Sequence, residues 1–423
     1  MTFSARLEEI RTGFERPFWV ANISEIFERL SYYAVFAALA RYLHEALQFP
    51  TKEASTLSGI FGGAVWVMAI FGGALADRIG FRRALSLAYF ILSCSYFLVG
   101  SIAAPWLAPV RNVVPLGAMV GVILFLPALG VALVKPSVVG TTARASKESV
   151  RSIGYSIYYT LVNIGSFLGP FLAGWIHSRM SVENVFRLAA LSVFLMFIGV
   201  LIFFREPKRA GESGTPTIGQ VIHNFLTVLG NWKFVLFLLI FSGYWIVFWQ
   251  QYLSLPIYIH DYVNSNANTE MILIADPIIV ITLTVAVNAL TRKISSFRAI
   301  ILGALITALG WLALAAHPAV WTAVVALMIV ALGEIIQSPR YYEYISRLAP
   351  PGQQGTYMGF AFLPIGIGSL IGGRFGGWIL HNFGEVQHRP ERIWLTTTAV
   401  GVATALALWI YDLALTRSAP SGQ

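Results

Sequence analysis

Apolar residues occur along this chain in long blocks. Six lie near 17–46, 54–76, 82–103, 114–138, 152–177 and 183–204. Six more follow a polar interval, near 232–260, 270–291, 295–316, 320–342, 354–380 and 393–415. A helix rises 1.5 Å per residue, so about 20 apolar residues cross roughly 30 Å of hydrocarbon. Backbone groups at that depth have to be satisfied within the segment, which a helix achieves. The pattern predicts an all-α integral membrane protein with 12 transmembrane helices.

The polar interval at 205–231 is the longest and divides the chain into a six-helix bundle over 1–204, a linker, and a six-helix bundle over 232–423. The linker opens with Arg205-Glu206-Pro207-Lys208-Arg209 and passes through a Gly/Ser/Thr/Pro stretch at 211–217. Its last part, 217–231, predicts an amphipathic helix at the membrane surface. Ahead of the first block, Arg6, Glu8, Glu9, Arg11, Glu15 and Arg16 make 1–16 too charged for a signal-peptide core, and the segment reads as a short amphipathic arm.

Composition agrees. Charged residues are 12% of the chain, about half of what a wetted soluble surface carries, and the mean hydropathy is +0.70. The net charge of +9 would suggest nucleic acid were it clustered on one face. Instead it follows the loops: eighteen Arg and Lys fall on one side with both termini, and seven on the other. Positive loops stay cytoplasmic, so the expected location is an inner (plasma) membrane with cytoplasmic termini, and nucleic-acid binding becomes unnecessary. The lone cysteine, Cys94, lies inside a block and gives no disulfide framework.

The residues that break the apolar pattern carry the chemistry. In SEIFERLSYY (24–33), Glu25, Glu28, Arg29, Tyr32 and Tyr33 recur at i, i+3, i+4, i+7 and i+8 and share one helix face. Ionisable groups in a span are costly unless they meet a partner or water, so this face is either a functional site or a structural Glu25–Arg29 ion pair. Lys135 and Glu334 are further intramembrane charges, one in each half. Lys135 lies near the end of its block and could instead snorkel to the interface. Asp276-Pro277 offers a carboxylate beside a Pro-freed carbonyl, a candidate proton carrier, or else an outer-end Asp wetted by the loop. In GGALADRIGFRR (72–83), Gly72 and Gly73 permit close helix approach. Asp77 can accept from amides at a helix N-terminus, and Arg78, Arg82 and Arg83 face the cytoplasm. The seven histidines fall at span ends or loops with no metal-ligand spacing, so no metal is expected.

Two six-helix halves joined by a polar loop, with GGALADRIGFRR between spans 2 and 3, resemble the major facilitator superfamily. SEIFERLSYY resembles the first-helix signature of its proton-dependent oligopeptide transporter branch. In the expected order follow GVALVKPS (130–137), YYTLVNIGSFLGP (158–170), YWIVFWQQ (244–251) and LGEIIQSP (332–339) with RLAP (347–350). The likeness spans most of the chain. It departs from the family where a second Arg and a helix-7 Glu are replaced by Phe36 and Trp249, where Asp276 stands for Asn, and in lacking two extra helices between the halves.

The resemblance implies secondary active transport by alternating access, with no enzymatic step and no cofactor beyond a proton gradient. It implies proton coupling at Glu25, Glu28 and Arg29, substrate contacts at Tyr32, Tyr33, Lys135, Asn163 and Glu334, and a conformational latch at Gly73, Asp77, Arg78, Arg82 and Arg83. Asp276 joins the coupling set from its own chemistry, and Trp245 and Gln250 join the substrate set as cavity-facing residues of span 7. The expected function is proton-coupled symport of di- or tripeptides or related zwitterions, by a monomer in lipid. The alternative is a proton-antiport exporter of an amphipathic metabolite or drug.

Overall fold

The computed structural model describes residues 12–207, 219, 226–349 and 354–417; most of the expected linker and the start of the N-terminal arm lie outside the described residues. Twelve helices of 15 residues or more are present among them: α1 (Arg16–Arg41), α2 (Thr51–Ile79), α3 (Phe81–Val99), α4 (Leu116–Arg144), α5 (Arg151–His177), α6 (Glu183–Phe203), α7 (Trp232–Phe248), α8 (Ala275–Thr291), α9 (Ser296–Gly310), α10 (Val320–Leu348), α11 (Leu363–Ile379) and α12 (Glu391–Arg417). Among the described residues ten spans are long and apolar enough to cross a membrane: α3 to α6, α10 and α12, and α7, α8, α9 and α11 each joined with the short helical pieces beside it. The protein is an all-α integral membrane protein.

Proline accounts for three of the interruptions of the expected spans; those at Trp249 and Trp311 have no proline at them. Lacking an N–H, it cannot close the bond to the carbonyl four residues back. Short helical pieces separate at Ser254 ahead of Pro256, at Ile274 ahead of Pro277, and at Ala361–Phe362 ahead of Pro364. Pro136, by contrast, is accommodated inside α4, which runs on to Arg144.

The chain forms two compact units, residues 1–38 with 64–221, and residues 39–63 with 222–423. In the first, α3 packs on both α4 and α6. Helix α5 lies against α1 through Gly165 and Gly169. A Cβ on Gly169 would sit 2.7 Å from the Leu30 carbonyl oxygen and 2.9 Å from the Ala34 nitrogen, backbone atoms that cannot swing aside. Gly169→Val should therefore lower stability by about 1–3 kcal/mol, read as a lower melting temperature in detergent. Gly199→Ala, a position with no heavy atom within 4 Å, should leave it unchanged.

In the second unit α9 packs on α10 and α12, α7 on α11 and α12, and α8 on α10. The end of α1 and the start of α2 belong to it because Gly59 and Gly373 meet backbone to backbone, Ser369 donates to the Gly59 carbonyl at 3.1 Å, and Thr51 donates to Glu385 at 2.6 Å. Past the end of α1, Arg41 pairs with Glu45 and donates to the Ala267 carbonyl at 3.0 Å, while His44 lies 3.3 Å from Asp261. Burial pushes the Asp261 carboxyl up, but hydrogen bonds from His44 and His260 outweigh it and hold it below its ordinary value. These histidines thus pair with carboxylates, a partnership that their spacing along the chain did not show.

Candidate functional site

Each unit carries its own cluster of charge within its spans. In the first, the helical repeat of α1 brings Glu25, Glu28 and Arg29 together, and all three are almost fully buried. Arg29 Nε lies 3.3 Å from Glu25 Oε1 and is hydrogen-bonded to Glu28 Oε2. Its guanidinium stands 5.2 Å over the Tyr32 ring, and Tyr32 meets Tyr33 edge-on. Lys135 joins this group electrostatically, with Nζ 3.7 Å above the Trp66 ring. Two carboxylates face two cations, so the quartet is neutral overall, the arrangement a low-dielectric site requires. It is not saturated: Glu25 Oε2, Glu28 Oε1 and Arg29 Nη2 have no hydrogen-bond partner among the described residues.

Several expectations change here. Lys135 does not snorkel: α4 continues nine residues past it and the ammonium rests on Trp66. The Asn163 amide donates back to the Tyr159 carbonyl at 2.8 Å within α5, so that donor is engaged in its own helix. Trp66 and Tyr158, which lies beside Glu25, were not singled out by sequence.

In the second unit Asp276 is 5% exposed. It is therefore not the wetted outer-end Asp of the alternative reading. Glu334, on α10, is half-buried in the same electrostatic neighbourhood. Among the described residues neither carboxylate forms an ion pair. The groups around them are neutral: Gln251 lies beside Asp276, and the Tyr244 hydroxyl lies beside Gln337 and Thr307; among the described residues Gln337 Oε1 has no hydrogen-bond partner. Buried polar groups are almost always paired, so these carboxylates and amides form a polar pocket in an otherwise apolar bundle. Gln250 is different. It donates to the Ile246 and Gly372 carbonyls at 2.8 and 3.1 Å and accepts from Ser254 at 2.6 Å. It ties α7 to α11, and its neighbour Gln251 is the one beside Asp276. Phe36 and Trp249 are both buried, and Trp249 Nε1 donates to the Ile365 carbonyl at 3.1 Å. The two apolar replacements are thus built into packing.

At the loop between α2 and α3 the structure shows an acceptor that the sequence did not single out. Gly80, at φ +88°, turns the chain into α3, a conformation that glycine adopts readily. The amides of Phe81 and Arg82 then donate to the two carboxylate oxygens of Glu206, each at 2.8 Å, and Arg82 Nη2 donates to the Leu201 carbonyl at 2.6 Å. Glu206, beyond α6, thus caps the N-terminus of α3. Gly73 and the side chain of Asp77 lie outside what the structure describes, whereas Arg78 and Arg83 are exposed.

Intramembrane charge in both units of a helical membrane protein defines the class: a polytopic transporter. The Major Facilitator Superfamily model matches residues 22–363, and the chain belongs to that superfamily. It is similar to the multidrug resistance protein MdtH of Klebsiella pneumoniae subsp. pneumoniae, 26% identical over 345 residues and 81% of each chain. With MdtH of Enterobacter sp. it is 24% identical over the same share of both. Its fold is that of a POT family transporter solved in complex with 5-aminolevulinic acid (TM-score 0.76, 16% identity, 95% of this chain and 97% of that one). A peptide transporter POT solved with sulfate gives 0.75 at 18% identity, covering 95% of each chain.

Proposed function

We propose that this protein is a proton-coupled symporter of small amino-bearing zwitterions, peptides among them, working by alternating access. The observation that supports this most is the division of buried charge: a neutral Glu25–Glu28–Arg29–Lys135 quartet in one unit, and in the other two carboxylates, Asp276 and Glu334, that form no ion pair among the described residues. The first offers an ammonium to a carboxylate and a protonatable acid to couple with it. The second demands positive charge, which a proton or a substrate ammonium supplies. The POT fold, known with 5-aminolevulinic acid bound, is in keeping with such solutes. In this reading Tyr32, Tyr33, Trp245 and Gln251 shape the substrate contacts. Both termini face the cytoplasm, and the monomer is the working unit.

The test is uptake into proteoliposomes of a mixed dipeptide pool and of 5-aminolevulinic acid, driven by an inward proton gradient. Wild type should accumulate at least one of them, and Lys135→Ala and Glu334→Gln should not. A folded, correctly oriented wild type that accumulates neither refutes symport. The 24–26% identity to MdtH supports a second reading, proton-driven export of amphipathic compounds. Gradient-dependent expulsion of an amphipathic cation from the same vesicles would establish that instead.

A further inference from the structure

Between the first turns of α3 and the last turns of α6 lies an open groove of about 1120 Å³. One end is basic, formed by Arg78, Arg82 and Arg83, all exposed. The other is apolar: Leu87, Phe90 and Leu201 are 45%, 49% and 42% exposed, and Phe90 meets Phe197 at 5.7 Å between ring centroids. Among the described residues Arg78 and Arg83 form no ion pair. Glu206, the one acid in the groove, is already occupied by the amides at the start of α3, and Arg82 spends one donor on Leu201. Most of the guanidinium donors are therefore available for an anion. Arginine forks suit phosphate oxygens, and they stand on the span ends where positive loops place the cytoplasmic leaflet.

We propose that this groove is a binding site for an anionic phospholipid, whose phosphodiester engages Arg78, Arg82 and Arg83 while its acyl chains lie along Leu87, Phe90, Phe197 and Leu201. Contact of an apolar helix face with lipid is general; the three arginines at its head make the contact selective for headgroup charge. The site is independent of the transported solute.

Delipidated full-length protein in a mild detergent would be titrated with phosphatidylglycerol or phosphatidylcholine. Bound lipid is counted by native mass spectrometry and stability is followed by melting temperature. Phosphatidylglycerol should bind preferentially and raise the melting temperature further, with about a fivefold loss of preference per arginine neutralised. Arg78→Gln/Arg83→Gln should therefore bind the two lipids almost alike. Should that variant fold poorly, Ser86→Glu places a negative charge in the groove with all arginines intact and should give the same loss. Equal binding of the two lipids by wild type, or an undiminished preference in whichever variants fold, overturns the proposal. Competition by soluble glycerol 3-phosphate as strong as by the lipid would also overturn it, because the apolar half would then contribute nothing.

Discussion

Arg29→Met is expected to be the most damaging single substitution in the chain. It leaves Glu25 and Glu28, both fully buried, facing each other without the guanidinium that now bridges them. Breaking one partner out of a buried ion pair costs about 3–5 kcal/mol, because the remaining charge is stranded. The Met side chain keeps much of the volume, so the loss is electrostatic rather than a cavity. The variant should either fail to accumulate in the membrane or melt far below wild type in detergent. The quadruple variant Glu25→Gln/Glu28→Gln/Arg29→Met/Lys135→Met removes the whole local set and should recover most of that stability, since a neutral replacement of buried ion pairs is often harmless. It should not recover proton-driven transport. A single variant as stable as wild type would show that water reaches the cluster and that the burial described here does not isolate it.

The second large effect has the opposite sign. Asp276 is buried beside Gln251, and among the described residues it forms no ion pair. Replacing it by Asn removes an uncompensated charge while keeping the shape. Asp276→Asn should therefore be more stable than wild type, by about 1–2 kcal/mol at neutral pH, visible as a higher melting temperature. In proteoliposomes it should still exchange labelled for unlabelled substrate at equal pH on the two sides. Under a proton gradient its accumulation ratio should fall to unity, because the carboxylate proposed to carry the proton is gone. Gradient-driven accumulation at wild-type level by a correctly folded Asp276→Asn would remove Asp276 from the coupling set. A stabilising mutation that abolishes work is the signature of charge kept for function rather than for folding.

What could be read in the sequence follows a physical boundary. The charged face of α1 was legible because five polar residues at helical spacing stand out in an apolar run, and one helix suffices to bring them together. The positions of Lys135 and Asp276 along the chain were equally clear, but not their depth. The apolar block ended near 138, which the helix passes by six residues, and burial at Asp276 is a matter of packing between helices that the block did not show. The choice between Gln250 and Gln251 turned on helix phase just after Trp249, where α7 gives way to short pieces. Neighbours there differ by about 100° around the axis, and a run of buried aromatics contains no polar stripe to fix that phase. Glu206 capping α3 joins residues 125 apart. Trp66 under Lys135 is one apolar residue among many in α2. Such long-range partners depend on packing between helices, which a single chain's periodicity does not encode.

Helix α1 has one further consequence. It is continuous from Arg16 to Arg41, yet residues up to Ala38 belong to one compact unit and those from Leu39 to the other. Its charged face at 25–29 and its ties at Arg41, His44 and Glu45 are thus fixed to different bodies by a single rod about three turns long between them. A rod anchored at both ends transmits torque. A change of backbone direction at 38–39 would therefore be felt along one continuous hydrogen-bonded rod at both Arg29 and Arg41.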